Sequence, residues 1–544
     1  MASRKRKHIC SGDRISQLPE PILHHILSFL SQKEALQTSV LSKSWRDLGS
    51  TRPNIDFRVA GDDESFDFAL ETALSCCRDR NLRITQFSVE ILQAEHVSFM
   101  EEYIQDVFSG PCGGPTTFSL NITLNSGRYS FFDLPPAVLE SDSLRSLSLT
   151  NCRLNFNPAE SVVRFKHLNS LFLNWVIIHN ETLERFILPG CPLVKRVELI
   201  SCFGPTTIRL NHGCLEHFHF QEARGLNKPA FEIIFEDTVP TLETINIKGL
   251  SNAWCINYPA CFPFLRSLCL ENVYLPMESF EISSADFPFL EHLSIKSCTG
   301  FDTFRLVNCL VRHLTIWVSR KQVLSEIKID APVLEEFVYR PYVAGPISFS
   351  GETSTKMWKS SIHYLMFNMD RLAHLSQWFI DLRKLLEELS RSEISLILPI
   401  FQLNPFEFEP DNFENHHSHN NNPVVEFDYL ELCFSGYSYS CLMHFLNCML
   451  CYCRPRKIRT VLDGGTRGLV GFVCRMLLLG EKEKEEGKES CFWGQGLEGA
   501  AMNVFDEVCN EWLPVEGPRF LESAGALCPK DKQVQVCFRL KWKD

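Results

Sequence analysis

One apolar pattern repeats along the middle of the chain. A triplet of apolar residues with the spacing of Leu-x-x-Leu-x-Leu occurs nine times, and consecutive copies begin 21 to 27 residues apart. Successive side chains of a strand point to opposite faces, so the second and third apolar residues of each copy should face inward. Each copy therefore predicts one strand. The copies are LRSLSL (144–149), LNSLFL (168–173), VKRVEL (194–199), LEHFHF (215–220), LETINI (242–247), LRSLCL (265–270), LEHLSI (290–295), VRHLTI (311–316) and LEEFVY (334–339).

This spacing lies within the period of about 20–29 residues that is typical of leucine-rich repeats. Such a repeat is one strand plus a returning segment, and its apolar face is buried only when repeats stack. The chain is therefore predicted to form an α/β solenoid, a curved leucine-rich-repeat horseshoe with a parallel sheet on its concave face. Asn151-Cys152, Ser201-Cys202 and Ser297-Cys298 mark the turns after three of the strands, where Asn or Cys can satisfy backbone groups.

Weaker apolar patterns extend the prediction on both sides of the nine copies. Before them, a helix is predicted at 66–77 and strands at 87–92 and 118–124. After them the spacing lengthens, which favours the same solenoid with longer helices or a related cap. The predicted strands there are 362–367, 394–398, 425–432, 458–462 and 534–542, and the predicted helices are 372–389 and 441–452.

A different, helical pattern precedes all of these repeats. Its apolar residues recur at three- and four-residue spacing, as one face of a helix requires. They are Leu18, Ile22, Leu23, Ile26, Leu27 and Leu30. A second apolar group, at 35–48, follows the polar break at 31–34, so two or three short helices are expected. About forty residues bury too little surface to be very stable alone, so this segment should dock onto something.

The helical segment resembles the F-box, the module that binds the Skp-type linker of cullin-RING ubiquitin ligases. The resemblance rests on the Leu18-Pro19 start, the 26–30 core ILSFL and the 40–46 close VLSKSWR, with Ser31 standing where the family usually has Pro. It implies that one set of residues faces the linker or holds the linker-facing helices. That set is Leu18, Pro19, Ile22, Ile26, Leu27, Leu30, Leu41 and Trp45. Residues 181–192 and 329–335 also look like the returning helix and its exit in plant F-box proteins with leucine-rich repeats.

The predicted organisation follows from these patterns. A disordered basic tail occupies 1–13, the F-box 14–57, and a linker helix with irregular first repeats 58–140. Leucine-rich repeats occupy 141–345, and longer repeats or a cap occupy 346–544. Two polar stretches, 404–422 and 480–490, are predicted to be mobile insertions.

Composition narrows the compartment and the class of partner. The chain has 544 residues, 45% of them hydrophobic, and a net charge of −12, which disfavours a protein that binds the phosphate backbone of nucleic acid. Its 23 cysteines are scattered through apolar stretches, as reduced thiols are. No run of about 18 apolar residues indicates a membrane span, and no secretory signal begins the chain. The nucleus or the cytoplasm is expected, with Arg4 to Lys7 a candidate nuclear address.

Candidate chemistry is sparse. Cys441, Cys448, Cys451 and Cys453 have a spacing that zinc could use, but they lie in an apolar stretch where cysteine behaves as a small hydrophobe. The histidines of 416–419 are a candidate for adventitious metal binding only. The 480–490 segment lacks the spacing and the Ser or Thr of a phosphate loop, and no dinucleotide or hydrolase motif occurs. No catalytic residue, cofactor or metal is therefore predicted.

The strand faces that point outward are the better candidate for binding. Six residues near the end of the nine copies form the most informative group, because Trp317 with Lys296 and Arg340 could grip an acidic or aromatic element. The six are His292, Lys296, His313, Trp317, Glu336 and Arg340. The resemblance implies a non-catalytic substrate adaptor of an SCF-type ubiquitin ligase, with linker and cullin bound through the F-box and a protein substrate on the repeats. The alternatives are an F-box scaffold outside a ligase and a small-molecule-dependent receptor.

Overall fold

The computed structural model describes most of the predicted elements. The described residues are 15, 18–30, 32–38, 40–41, 43–50, 52–59, 65–92, 97, 99–110, 114–123, 131–155, 163–223, 231–235, 241–249, 254–257, 262–307, 309–319, 324–341, 347–350, 357–364, 375–401, 424–435, 446, 449–462, 497–506, 509–515 and 534–543. The chain forms two compact units, Met1–Leu265 and Arg266–Asp544. The predicted tail at 1–13 and the predicted insertions at 404–422 and 480–490 lie outside the described residues.

Three short helices open the first unit, in agreement with the helical pattern. They are α1 (Glu20–Ser28), α2 (Gln32–Thr38) and α3 (Lys43–Ser50). Pro19 directly precedes α1, where its fixed φ suits a helix start. The three helices share a core in which Ile26 and Leu30 pack against fully buried residues, and those residues are Leu23, Leu27, Ala35, Trp45 and Leu48.

A buried arginine joins the three helices to the first strand, β1 (Asn54–Val59), which is followed by α4 (Ser65–Asp79). Arg52 is 5% exposed. Its Nε donates a hydrogen bond of 3.1 Å to the carbonyl oxygen of Leu27, and its Nη2 donates to the carbonyl oxygen of Leu30. Its Nη1 donates to Asp56 of β1 at 2.6 Å. The exposed carbonyls at the end of α1 are thereby satisfied by a side chain that is also fixed to the sheet.

The main sheet of the first unit is parallel. Its strands after β1 are β2 (Gln86–Ile91), β3 (Thr117–Ile122), β5 (Ser146–Thr150), β7 (Ser170–Asn174), β9 (Arg196–Cys202), β11 (His217–Glu222) and β13 (Thr244–Lys248). Neighbours pair in register from β1 to β13. The returning segments form shorter strands and helices, which are α5 (Met100–Ser109), β4 (Phe132–Asp133), α6 (Pro136–Leu139), β6 (Cys152–Leu154), β8 (Ile177–Ile178), α7 (Asn180–Thr182), a π-helical turn (Leu183–Ile187), β10 (Thr207–Leu210), β12 (Phe231–Phe235) and β14 (Trp254–Asn257).

The second unit has a parallel main sheet of the same kind. Its strands are β15 (Ser267–Glu271), β17 (His292–Lys296), β19 (His313–Trp317), β21 (Glu336–Arg340), β23 (Lys359–His363), β24 (Glu393–Phe401), β25 (Val425–Ser435) and β26 (Cys453–Leu462). A four-stranded parallel sheet and a helix return the chain, and they are β16 (Ser279–Ser283), β18 (Thr303–Val307), β20 (Glu326–Ile329), β22 (Ile347–Phe349) and α8 (Leu375–Glu388). Three antiparallel strands complete the unit, β27 (Leu497–Asp506), β28 (Glu511–Val515) and β29 (Val534–Trp542).

The solenoid predicted from the nine apolar copies is confirmed. Every copy begins two residues before a strand of a main sheet, and the alternating burial of those strands places its second and third apolar residues inward. The first apolar residue of each copy is buried too, in the turn that leads into the strand. The parallel strands therefore stack as repeats whose cores touch only their neighbours.

The return path differs from the prediction in part. The helix predicted near 181–186 is present as α7 and the π-helical turn. The prediction of a helix at 329–335 is wrong. There β20 ends at Ile329 and a turn follows, since Pro332 and its neighbours lead directly into β21. Most other returning segments pair as second, parallel sheets, because short runs such as Thr-Phe-Arg-Leu-Val (303–307) alternate apolar and polar residues and favour strands.

The turns at the ends of five main strands share a common geometry. A residue with left-handed φ between 51° and 58° ends the strand, and examples are Asn151, Trp175, Ser201, Asn272 and Ser297. The next residue points back into the core, and in two predicted positions its thiol donates to a carbonyl of the preceding repeat, at 3.5 Å from Cys202 and 3.4 Å from Cys298. Burial raises the pKa of Cys298 to about 12. The Cys landmarks are thus structural thiols.

Candidate functional site

Exposed apolar side chains cover part of the three-helix segment. Leu18 is 36% exposed, Ile22 48% and Leu41 62%, and Pro19 is exposed beside them. These four belong to the set that the sequence predicts to face the linker or to hold the linker-facing helices. The structure adds Phe29, 75% exposed, which the sequence analysis did not select. Large apolar groups that remain in water on so small a module mark a surface for a partner.

The other predicted F-box residues have a different place. Leu27 is fully buried, Trp45 is 3% exposed, and Ile26 and Leu30 pack against the same core. Leu27 and Trp45 cannot reach a partner while the helices are folded, whereas Ile26 and Leu30 are only partly buried. Their position supports the second role left open by the sequence, which is to hold the linker-facing helices together.

The six predicted residues of the repeats lie together on the outward face of β17, β19 and β21. His292, His313 and Glu336 are in register across the three strands. The two imidazole rings stack with centroids 4.6 Å apart, and Nδ1 of His313 lies 3.3 Å from a carboxylate oxygen of Glu336. This row is therefore occupied by mutual contacts.

The second row forms a cation–π stack. Lys296, Trp317 and Arg340 are in register on the same three strands. Nζ of Lys296 lies 4.6 Å from the centroid of the Trp317 ring, and Cζ of Arg340 lies 4.0 Å from it. Two cations from the strands on either side thus flank one indole, an arrangement that fixes three side chains on an open sheet. We call these three residues the Trp317 stack.

A comparable arrangement occurs farther along the same sheet. Nζ of Lys457 lies 4.6 Å and Cζ of Arg459 4.2 Å from the centroid of the Tyr429 ring. Lys457 also donates to the phenolic oxygen of Tyr429 at 3.1 Å. We call these three residues the Tyr429 stack. The sequence predicts the strands of these residues but not the stack, because the strand pairing that brings β25 beside β26 is not visible in a single sequence.

Polar hydrogens of both stacks lack partners. Nε1 of Trp317, Nε of Arg340 and Nε of Arg459 are shielded from solvent and have no hydrogen-bond acceptor among the described residues. A shielded donor without an acceptor costs about 1–3 kcal/mol. Next to the Trp317 stack, burial and the charge of Arg340 lower the pKa of His363, so the imidazole there stays neutral at pH 7.

Outward-facing charged residues on the main sheet of the first unit pair with one another. Arg196 lies 3.6 Å from Glu198, whose other carboxylate oxygen lies 3.6 Å from Nδ1 of His219. His217 hydrogen-bonds to the hydroxyl of Thr244 at 3.1 Å. These groups satisfy one another, so this stretch offers less charge to a ligand than the two stacks do.

The described residues give no support to metal chemistry. They contain no group of three or more potential ligands, and within the zinc candidate Cys451 is half-buried while burial raises the pKa of Cys453 to about 12. Cys441, Cys448 and the histidines at 416–419 lie outside the described residues. No helix in the described ranges is long and apolar enough to cross a membrane.

Comparisons with known proteins match both parts of the architecture. The family model described as "F-box domain" matches residues 15–55, and that described as "FBD-associated F-box protein At5g56370, LRR repeats" matches residues 120–252. The chain is 31% identical over 230 residues to the putative F-box/FBD/LRR-repeat protein At4g03220 of Arabidopsis thaliana, covering 39% of this chain and 43% of the relative. The chain therefore combines an F-box with leucine-rich repeats and is similar to plant F-box/leucine-rich-repeat proteins.

Two further Arabidopsis thaliana relatives agree with this assignment. The F-box/FBD/LRR-repeat protein At4g00160 is 30% identical over 200 residues, 35% of this chain and 42% of the relative. The F-box/FBD/LRR-repeat protein At3g52680 is 28% identical over 325 residues, which cover 56% of this chain and 61% of the relative. The F-box/leucine-rich-repeat chain thus spans less than two thirds of each relative. An F-box together with leucine-rich repeats supports a substrate-adaptor role in general, and such proteins are typically non-catalytic.

Proposed function

We propose that the chain is the substrate-recognition adaptor of an SCF-type ubiquitin ligase. Its F-box binds the Skp-type linker, and through it the cullin, while its repeats bind a protein substrate. The observation that carries the proposal is the exposed apolar surface of Leu18, Ile22, Phe29 and Leu41 on a three-helix module that a buried arginine fixes to the repeats. The chain itself does no bond chemistry.

Binding of the linker follows from the hydrophobic effect. Each large apolar side chain that moves from water into an interface contributes about 1.5–3 kcal/mol. Four such side chains contribute at most about 6–12 kcal/mol, which offsets much of the cost of association. The helices beneath them need no rearrangement, since Leu27 and Trp45 already fill the core.

Ubiquitin transfer would then be accelerated by proximity. A substrate held on the repeats shares one assembly with the charged conjugating enzyme, so its lysines experience a raised effective concentration of the activated ubiquitin. This role requires a rigid adaptor, not a catalytic residue.

The test is co-purification of the full chain with a Skp-type linker. The double substitution Leu18→Asp with Pro19→Ala should abolish co-elution, because it places a charge in the apolar surface while leaving the core untouched. Leu193→Asp is the matched control, since Leu193 is 45% exposed in the first unit but lies outside the F-box. Equal linker binding by the double variant and the parent would refute the proposal, provided that both show the same circular dichroism.

The same preparation separates the alternatives. Recovery of the linker without a cullin would favour an F-box scaffold outside a ligase. Substrate capture that requires an added small molecule would favour a ligand-dependent receptor. We further propose that the complex works in the nucleus or the cytoplasm, on the basis of the reduced thiols and of Arg4 to Lys7, and a fluorescent fusion with and without those basic residues tests the address.

A further inference from the structure

A row of small side chains runs across the main sheet of the second unit. The strand register aligns one outward residue from each of five consecutive strands, and these residues are Ser294, Thr315, Val338, Ser361 and Ser395. We call them the central row. On the next strand the row meets Tyr429.

Larger side chains flank the central row. On one side the row of His292 and His313 continues to Glu336, Lys359 and Glu393. On the other side stands the Trp317 stack. Because the central residues are short and their neighbours long, the row forms the floor of a shallow trough that leads from the Trp317 stack to the Tyr429 stack. Its hydroxyl groups are hydrogen-bonding partners for an extended backbone.

The cations of the Trp317 and Tyr429 stacks are not neutralised by carboxylates of the described residues. Lys296, Arg340, Lys457 and Arg459 form no ion pair with any carboxylate in the described ranges. Arg459 stacks on Tyr429 even though Glu431 is its neighbour in register.

Other basic residues of the second unit do find carboxylates. They form salt bridges between neighbouring repeats. Arg266 pairs with Glu291 at 2.6 Å, Arg312 with Glu335 at 2.5 Å and Arg305 with Glu326 at 3.2 Å. The four cations at the aromatic rings therefore keep their charge for an outside partner.

The strand spacing sets the distance between the two stacks. From Trp317 on β19 to Tyr429 on β25 there are four strand steps, by way of β21, β23 and β24. At about 4.8 Å per step this is about 19 Å. An extended peptide advances about 3.3–3.6 Å per residue, so about five or six residues span the distance.

We propose that this trough binds an extended acidic segment of a partner protein, with two anionic groups about five or six residues apart, one at each stack. The inference rests on the proposed function, in which the repeats hold the substrate, and it names the substrate class. Aspartate or glutamate carboxylates and phosphorylated side chains share the required chemistry. Arginine binds both through paired N–H donors, and the aromatic ring holds the guanidinium in place before the anion arrives.

The test uses the full chain and fluorescein-labelled Gly/Ser peptides, with binding followed by fluorescence anisotropy. One peptide carries two aspartates and a second carries two phosphoserines, each pair about five or six positions apart. We expect at least one of the two peptides to bind. Control peptides in which the two anions are adjacent, or in which lysines replace the anions, should bind with an affinity lower by roughly tenfold or more. Whichever anion binds tighter identifies its source.

Variants assign the binding to the two stacks. Arg340→Met and Arg459→Met should each weaken the peptide by roughly tenfold or more, because each removes a charged donor and keeps the apolar stem. Arg312→Met is the matched control, since Arg312 loses the same charge but pairs with Glu335 away from both stacks. It should change the affinity less than about threefold.

Three results would overturn the inference. They are equal binding by Arg340→Met, Arg459→Met and the parent; an equal loss in Arg312→Met; and tighter binding of an oligonucleotide than of either acidic peptide. Failure of the proposed function is a separate outcome. Leu18→Asp with Pro19→Ala would remove the linker but leave peptide binding intact, and loss of peptide binding alone would leave linker co-elution unchanged.

Discussion

Replacing Arg52 with methionine should loosen the F-box from the first strand of the repeats. The guanidinium is buried and donates to the carbonyl oxygens of Leu27 and Leu30 and to the carboxylate of Asp56. Methionine keeps most of the apolar stem but none of the donors. The variant therefore leaves two helix-end carbonyls and one carboxylate without their shared partner.

The expected loss follows from the number of contacts. A hydrogen bond with a charged partner contributes about 1.5–3 kcal/mol, and breaking a buried ion pair costs about 3–5 kcal/mol. Asp56 is 30% exposed and water can replace part of its contact, so the lower end applies. We expect about 3 kcal/mol, which is roughly a hundredfold change in the equilibrium for local opening.

Hydrogen exchange measured by mass spectrometry is the assay. Amides of α1 should exchange roughly a hundredfold faster in Arg52→Met, whereas amides of β5 and β7 should not change. Arg58→Met is the control, because the Arg58 side chain in the same strand is 71% exposed and pairs with Glu90 at the surface. Protection of α1 that is equal in the two variants would show that Arg52 does not join the F-box to the repeats.

Three further predictions concern the second unit. Gly300→Ala should lower the free energy of unfolding by about 1–3 kcal/mol in a urea titration, since φ is +99° and a Cβ would lie 2.4 Å from a carbonyl oxygen, whereas Gly213→Ala in the first unit has open space and should be nearly neutral. Cys298, whose pKa burial raises to about 12, should resist iodoacetamide until the unit unfolds, while exposed Cys509 reacts at once; peptide mass spectrometry checks both. Burial and the charge of Arg340 lower the pKa of His363, so on acidification the imidazole takes up a proton in the unfolded state before it does in the folded state. The free energy of unfolding should therefore fall as the pH drops below about 6.5. His363→Gln should flatten the plot of this free energy against pH in that range.

The sequence predicted the solenoid because its apolar period is visible along the chain. Each copy carries both the period-two alternation of a strand and the repeat length, and the two agree at all nine positions. It also placed α4, α8 and β29 within a few residues of their bounds, and β29 matches at both ends. The antiparallel pairing of β29 with β26 and β27 was not predicted, since pairing between distant segments leaves no local pattern.

The grouping of the candidate site residues on the repeats was predictable because the repeat period is visible in the sequence, and only as far as that period extends. His292, Lys296, His313, Trp317 and Arg340 occupy equivalent positions of consecutive repeats, so their proximity follows from the register alone. The Tyr429 stack required the pairing of longer, less regular repeats. The separation of exposed Leu18 from buried Leu27 in the F-box required the packing of three helices, because both residues lie on apolar positions of one periodic pattern. Linker and substrate binding by these residues stay predictions.

The register of the second unit also determines how the proposed peptide preference would change in evolution. Each repeat adds one strand step of about 4.8 Å between the two stacks. Duplication or loss of a single repeat between Trp317 and Tyr429 would therefore lengthen or shorten the matching peptide by one or two residues, with every contacting side chain unchanged. Related chains with different numbers of repeats would then prefer peptides that differ in the number of residues between their two anionic groups. This preference would change in steps of one or two residues without any substitution in the side chains that bind the anions.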